Sequence, residues 1–235
     1  MWTFQTRRDL LGLILLAASG APVAAAPQKP KIGIIGAGRV GGVLAKLWAG
    51  AGYRVMLSAR NLDPVRQLAA QIGPNAQAGT PAEAAAFGDV VVVSVPYGAL
   101  PQIGRDYAGA LKGKVVLDTC NPVVQRDGPM AQEALDKGTG VMDPLYLPGT
   151  RLVRAFSTIN YVPLEHEAHR AGEPIGIPLA GNDRQALEVA SQLVRDAGFE
   201  PVVVGDLSTA KSFDIGQKGS KVHPVSELRA ILEIK

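Results

Sequence analysis

Two rhythms of apolar residues alternate along this chain. Short continuous apolar runs are separated by longer stretches in which apolar positions recur every three or four residues. The first run, residues 31–35, leads into Gly36-x-Gly38-x-x-Gly41. Val40, Val43, Leu44, Leu47 and Trp48 then mark one face of a helix that stops at Gly50-Ala-Gly52. A strand is expected at 53–57 and a helix at 63–71, capped by Asn61 or Asp63 with Pro64 in its first turn. A short strand at 76–78 precedes Thr80-Pro-Ala-Glu83, a capping box that opens a helix ending at Gly88. Residues 89–94 form a β-branched run, which reads as a strand covered on both faces. A helix over 97–111, weakened by Pro101 and Gly104, and a buried strand at 114–118 follow.

The pattern continues more loosely beyond that point. Residues 121–128 read as a loop and 130–138 as a short helix. A strand is expected at 152–156, a helix at 162–171 and a strand at 173–180. Asn182 or Asp183 caps a helix running to Ala197, and the last strand spans 199–204. Residues 207–212 and 226–232 read as helical tail segments. Strands alternating with helices predict an α/β fold: a doubly wound, mostly parallel Rossmann sheet with a small C-terminal α/β extension. The expected division is a dinucleotide-binding domain over 31–160 and a lobe over 161–235 that continues the fold.

Residues 1–26 read differently. Arg7-Arg8 stands before an apolar run at 13–18, and small residues extend to Ala26. This is the layout of an export signal of the twin-arginine type, with Leu10 and Gly12 departing from the usual pattern and cleavage expected after Ala25. The twin-arginine machinery is then a partner and the location periplasmic or otherwise exported, or membrane-anchored if the segment is retained. Lys and Arg total 24 against 21 for Asp and Glu, with no basic stripe, so nucleic-acid binding has no support. The single cysteine, Cys120, excludes an internal disulfide. Monomer and homodimer are both compatible with the sequence.

The candidate chemistry lies in the glycine turn. A strand, the three glycines and a helix in this order suit a dinucleotide pyrophosphate: a tight turn at Gly36, close backbone approach at Gly38 and close packing at Gly41. The backbone of Gly36, Ala37, Gly38, Arg39, Val40 and Gly41 would surround the phosphates, and the helix N-terminus favours the anion. NAD-selective sites place an acid at the tip of the second strand, but here the chain reads Ser58-Ala-Arg60-Asn61. Arg60 would bind a 2′-phosphate, with Ser58 or Asn61 adding a neutral hydrogen bond, so NADP(H) is the expected cofactor. Strand-end residues Ser94, Val95 and Pro96, and Asn121 and Pro122, are candidates for the ribose and nicotinamide. The loop from Ser157 to Asn160 lies at a third strand end. His166 and His169 read as a polar helix face, His223 as exposed, and Cys120 as a small buried hydrophobe. No catalytic acid, base or metal set stands out. Hydride transfer between planar groups needs alignment and water exclusion more than a side-chain acid.

The residues together resemble the NADPH-dependent deazaflavin (coenzyme F-420) oxidoreductase family. The likeness is carried by Ile32-Gly-Ile-Ile-Gly-Ala-Gly-Arg-Val-Gly41, Ser58-Ala-Arg60, Val92-Val-Ser-Val-Pro96 and Val153-Arg-Ala-Phe156. Ile177-Pro-Leu-Ala-Gly-Asn-Asp183, Gly198-Phe-Glu-Pro-Val202 and Gly205-Asp-Leu207 complete it. The resemblance implies NADP(H) on the glycine turn, Arg60 with Ser58 at the 2′-phosphate, and a flavin or deazaflavin as co-substrate. Ala59 stands between Ser58 and Arg60 where the family has the two adjacent. Hydride transfer to a flavin-like or other small acceptor is the expected activity. An exported, non-catalytic NADP-binding protein and an imine or carbonyl reductase are the alternatives.

Overall fold

The computed structural model describes residue 1 and residues 29–234. The expected export signal, residues 1–26, lies outside the described residues apart from Met1. Eight strands form one sheet in the order β3-β2-β1-β4-β5-β6-β7-β8. The chain runs β1 (Ile32–Ile35), α1 (Arg39–Gly50), β2 (Val55–Ser58), α2 (Leu62–Ile72), β3 (Ala76–Gly79), α3 (Pro81–Phe87) and β4 (Val90–Val93). Then follow α4 (Leu100–Asp106), α5 (Ala108–Leu111), β5 (Val115–Asp118), α6 (Val124–Asp127), α7 (Pro129–Lys137), α8 (Thr139–Tyr146) and β6 (Arg151–Arg154). The last elements are α9 (Tyr161–His166), β7 (Gly176–Gly181), α10 (Arg184–Asp196), β8 (Glu200–Gly205) and α11 (Val225–Ile231), with 3-10 turns at Tyr97–Ala99, Leu207–Phe213 and Lys218–Ser220. β1 to β6 are parallel, whereas β7 runs antiparallel to β6 and parallel to β8. The C-terminal segment thus adds two strands to the same sheet.

Side chains alternate across the sheet, and this alternation divides the core in two. Ile32, Ile34, Val90, Val92, Val115, Leu117 and Val153 face a layer built on α1, α9 and α10. Ile35, Val91, Val93, Val116 and Leu152 face the layer of α4, α7 and α8. All four residues of β4 are buried, as the continuous β-branched run requires. Two polar contacts, one buried and one part-buried, lock α10 onto the first half of the chain. Trp48 Nε1 donates to the Leu193 carbonyl at 2.8 Å, and the Tyr53 hydroxyl donates to Asp196 at 2.6 Å.

The expected caps form. Asn61 accepts from the amide of Asp63, Thr80 and Glu83 make the reciprocal capping box, and Asp183 accepts from the amide of Ala186. Four expectations fail. The helix over 97–111 is broken into a 3-10 turn, α4 and α5. Pro101 suits only the first turn of a helix, and at Gly104 the backbone of Tyr146 comes so close that a Cβ would lie 1.7 Å from its carbonyl oxygen. The expected loop over 121–128 contains α6, and α8 forms where no helix is expected. Gly140 and Pro144 disfavour α8, but Asp214, 75 residues away, accepts from the amide and hydroxyl of Thr139 and supplies its start. α9 ends at His166, five residues early, and the chain turns at His169 (φ 56°), whose amide donates to the Gly198 carbonyl. His166 and His169 therefore do not share one helix face.

Candidate dinucleotide site

Register brings the candidate loops to one edge. Ile35 pairs with Ser58 on one side and Val93 on the other, Val93 pairs with Asp118, and Asp118 pairs with Arg154. The segments after β1, β2, β4, β5 and β6 consequently leave the sheet side by side at the carboxyl ends of parallel strands. β1 and β4 are adjacent there although β2 and β3 lie beyond β1, which makes this the point where the winding reverses. Open α/β sheets bind their ligands at such a point.

The three glycines serve three needs. Gly36 has φ 104° and sits against β4, where a Cβ would lie 2.1 Å from the Ser94 carbonyl oxygen. A Cβ on Gly41 would lie 2.2 Å from the Gly36 carbonyl oxygen, so the helix can meet the turn this closely only through glycine. Nothing lies within 4 Å of a Cβ built on Gly38. That exposed residue begins α1, whose start has no side-chain cap and no acidic residue in its first turn. Open space in front of uncapped amides is the shape a pyrophosphate fills. Ala37 and Val40 are half-buried beside it and Arg39 is exposed. Arg39 stacks on Tyr161 at 4.9 Å from the ring centroid, and its Nη1 lies 3.4 Å from the Tyr161 hydroxyl.

At the tip of β2 the expected residues part company. Arg60 is exposed and makes no ion pair or hydrogen bond to any described residue. Asp63, the nearest acid in sequence, is paired with Arg66 at 3.1 Å. Ser58 corrects the sequence reading. Its side chain is fully buried and its hydroxyl donates to the Ile34 carbonyl at 2.8 Å, while its own carbonyl accepts from the amides of Gly36 and Ala37. Ser58 fastens the glycine turn to β2 and offers no side chain to a phosphate. Asn61 is exposed, but its Oδ1 is engaged in capping α2.

The nicotinamide side is built from the loops after β4, β5 and β6. Ser94 and Val95 are half-buried and Pro96 exposed. Asn121 Nδ2 donates to the Ser157 carbonyl at 2.6 Å and joins two of these loops. Pro122 is buried, so it shapes the backbone beside Asn121 and presents no surface to a ligand. Two features here were not legible in sequence. Phe156 adopts φ 55°, a conformation costly for a bulky residue. The Ser157 hydroxyl that follows is buried and meets no hydrogen-bond partner among the described residues. Cys120 is buried, with its thiol 3.5 Å from the Val95 amide and the Val93 carbonyl oxygen. Burial, and then the charge of Asp118, push that thiol well above its ordinary value, so it is not a nucleophile in this state. His223 lies 3.1 Å from Glu227 in the segment before α11, and its carbonyl accepts from the amide of Gly176 at the start of β7. Among the described residues no group of three or more metal-ligating side chains converges, and no helix is long and apolar enough to cross a membrane.

The chain is similar to several known proteins. Residues 31–122 match the family model described as NADP oxidoreductase coenzyme F420-dependent. The chain is 28% identical over 197 residues to the F420-dependent NADP reductase of Methanothermobacter thermautotrophicus, covering 77% of this chain and 83% of that one. It is 24% identical over 210 residues to the rat metalloreductase STEAP3, covering 88% of this chain but spanning only 40% of that protein's length. A solved structure of a hypothetical protein from Sinorhizobium meliloti shares the fold, with a TM-score of 0.70, 24% identity, and coverage of 83% of this chain and 96% of the other. Over residues 31–122 the chain is thus similar to the coenzyme F420-dependent NADP oxidoreductases.

Proposed function

We propose that this chain binds NADP(H) at the glycine turn and transfers hydride between its nicotinamide and a flavin, deazaflavin or other small acceptor. The observation that carries the reading is the open space at Gly38 before the uncapped start of α1, with the unpaired guanidinium of Arg60 on the neighbouring strand end. The amides of the first turn of α1 would hold the pyrophosphate, and Arg60 would hold the 2′-phosphate. The buried Ser157 hydroxyl, lacking a partner among the described residues, would serve the polar groups at the nicotinamide end. The cofactor supplies the hydride. The protein's part is to bind, to align and to exclude water, which fits a site edge built from backbone, small polar side chains and proline.

Under the same reading, residues 1–26 direct twin-arginine export of a chain already folded around its cofactor. NADP(H) would then be held tightly enough to co-purify. Mass spectrometry of ligand released from the purified protein tests binding, and stopped-flow oxidation of bound NADPH by FMN, deazaflavin or quinones tests turnover. Bound NADP(H) with at least one productive acceptor is expected. Binding without any acceptor would leave a cofactor carrier, and no binding at all would remove the proposal.

A further inference from the structure

Beneath the loops after β4 and β5 lies a buried ionic cluster that the proposed chemistry does not use. Arg154, at the end of β6, is fully buried. Its Nη1 donates to Asp118 Oδ2 at 2.9 Å and to the Cys120 carbonyl at 2.7 Å, and lies 3.4 Å from Asp143 Oδ2. Asp118 Oδ1 accepts from the Cys120 amide at 2.8 Å. Both backbone groups of Cys120 are thus held by this pair. On the other side the Tyr97 hydroxyl donates to Asp143 Oδ1 at 2.5 Å, which holds the segment that follows β4. Asp214 approaches Arg154 Nη2 at 3.9 Å, and its carboxylate is spent on Thr139.

Asp143 Oδ2, Arg154 Nε and Arg154 Nη2 are buried and meet no hydrogen-bond partner among the described residues. Arg154, with a single charge, faces Asp118, Asp143 and Asp214, while Cys120 and Tyr97 remain neutral. Asp143 Oδ2 has no donor directed at it, and its neighbour Asp118 is another acceptor. A proton on Asp143 turns that orphaned oxygen into a donor toward Asp118. Burial, reinforced by the charge of Asp118, pushes the Asp143 carboxyl well above its ordinary value, in the direction this requires.

We infer that Arg154, Asp118, Asp143 and Tyr97 form a positioning device for the nicotinamide end of the site, with Asp143 bridging Tyr97 and Asp118 so that the loops after β4 and β5 are set against each other. The inference rests on the proposed cofactor reading. Asn121, which ties the β5 loop to Ser157, follows directly on the residue whose amide and carbonyl the cluster holds. None of the four side chains touches the glycine turn or Arg60 in the contacts described above. The device should therefore act on one half of the dinucleotide only.

The test compares NADPH with 2′-phospho-ADP-ribose, which lacks the nicotinamide, in wild type, Tyr97→Phe, Asp143→Ala and Asp143→Asn. Tyr97→Phe and Asp143→Ala are expected to weaken NADPH by about tenfold, the loss of roughly one hydrogen bond's worth of order. They should leave 2′-phospho-ADP-ribose within about twofold. Asp143→Asn should restore NADPH binding, because an amide offers the same acceptor to Tyr97 and donor to Asp118 as a neutral acid. Should Asp143→Ala not fold, Tyr97→Phe carries the comparison, since it removes one oxygen and keeps the ring. If wild type binds both probes and the variants weaken both equally or neither, the positioning role is wrong. If wild type binds both and Asn is no better than Ala at 143, the bridge is wrong. A wild type that binds neither probe overturns the cofactor reading itself, and this inference falls with it.

Discussion

Replacing Arg60 by alanine separates cofactor selection from folding more cleanly than any other change in this protein. The side chain is exposed and has no partner among the described residues, so its removal breaks no internal bond and should leave the melting temperature unchanged. What it removes is a charge-assisted contact to a dianionic phosphate, worth about 1.5–3 kcal/mol. That corresponds to roughly 10- to 150-fold in the dissociation constant for NADPH. NADH lacks the phosphate and should bind Arg60→Ala about as well as wild type. Because the guanidinium is solvent-exposed, the gap between the two cofactors should narrow as salt rises above about 0.1 M. Isothermal titration of both cofactors at two ionic strengths measures each of these quantities. Equal losses for NADPH and NADH, or no loss for either, would refute the role given to Arg60. Ser58→Ala is the internal control. Its hydroxyl is bonded to the Ile34 carbonyl in the core, so the expected cost is about 1 kcal/mol of stability, and the NADPH-to-NADH preference should stay where it is.

The glycines and the buried acid give further expectations. Gly38→Ala introduces a methyl group with nothing within 4 Å, so calorimetry should show normal folding while NADPH binding is lost or severely weakened. Gly41→Ala drives a Cβ to 2.2 Å from the Gly36 carbonyl oxygen and should destabilise the fold by about 1–3 kcal/mol in a denaturant titration, whether or not cofactor is present. Asp143, whose carboxyl is raised by burial, binds a proton on folding. Its stabilisation is complete below the unfolded carboxylate value of about 3.9 and is lost as pH rises through the higher folded value. The stability advantage of wild type over Asp143→Asn should accordingly shrink with rising pH in thermal melts, and a difference that stays constant across pH would show that Asp143 is not protonated in the fold.

Most of the fold was legible because it rests on local signals. Buried strands announce themselves as β-branched runs, and the caps at Asn61, Thr80 and Asp183 are short-range hydrogen bonds that sequence spacing reveals. The failures have a common origin in contacts distant along the chain. α8 begins on Asp214, contains Pro144, and meets the backbone of Leu207 closely at Gly140. Nothing near residue 139 in sequence points to a partner 75 positions later. The site divides the same way. The three glycines form the turn between β1 and α1 and Arg60 is exposed beyond the tip of β2, whereas the Ser58 hydroxyl is turned into the protein. Strand alternation places its neighbour Leu57 in the core layer of α1, but the hydroxyl of Ser58 is hidden because it has a backbone carbonyl to bond, which no pattern of apolar residues encodes.

The acid–base groups show why the sequence seemed poor in chemistry. Asp118, Asp143, Arg154 and Tyr97 are scattered over nearly sixty positions and match no motif, yet the sheet register sets Asp118 beside Arg154, and α8 carries Asp143 to them. An ion cluster buried this deeply is a poor source of net stability, because desolvating its charges costs several kcal/mol per ion and the attraction among them returns little more. Three acids facing one arginine make the balance worse unless one acid is neutral. An all-apolar layer in the same place would have been cheaper to fold. What an apolar layer could not do is grip the amide and carbonyl of Cys120 at 2.8 and 2.7 Å while also fixing the hydroxyl of Tyr97. A polar core of this kind sets the direction of two loops at a cost in stability, and under the proposed function those two loops flank the nicotinamide end of the site.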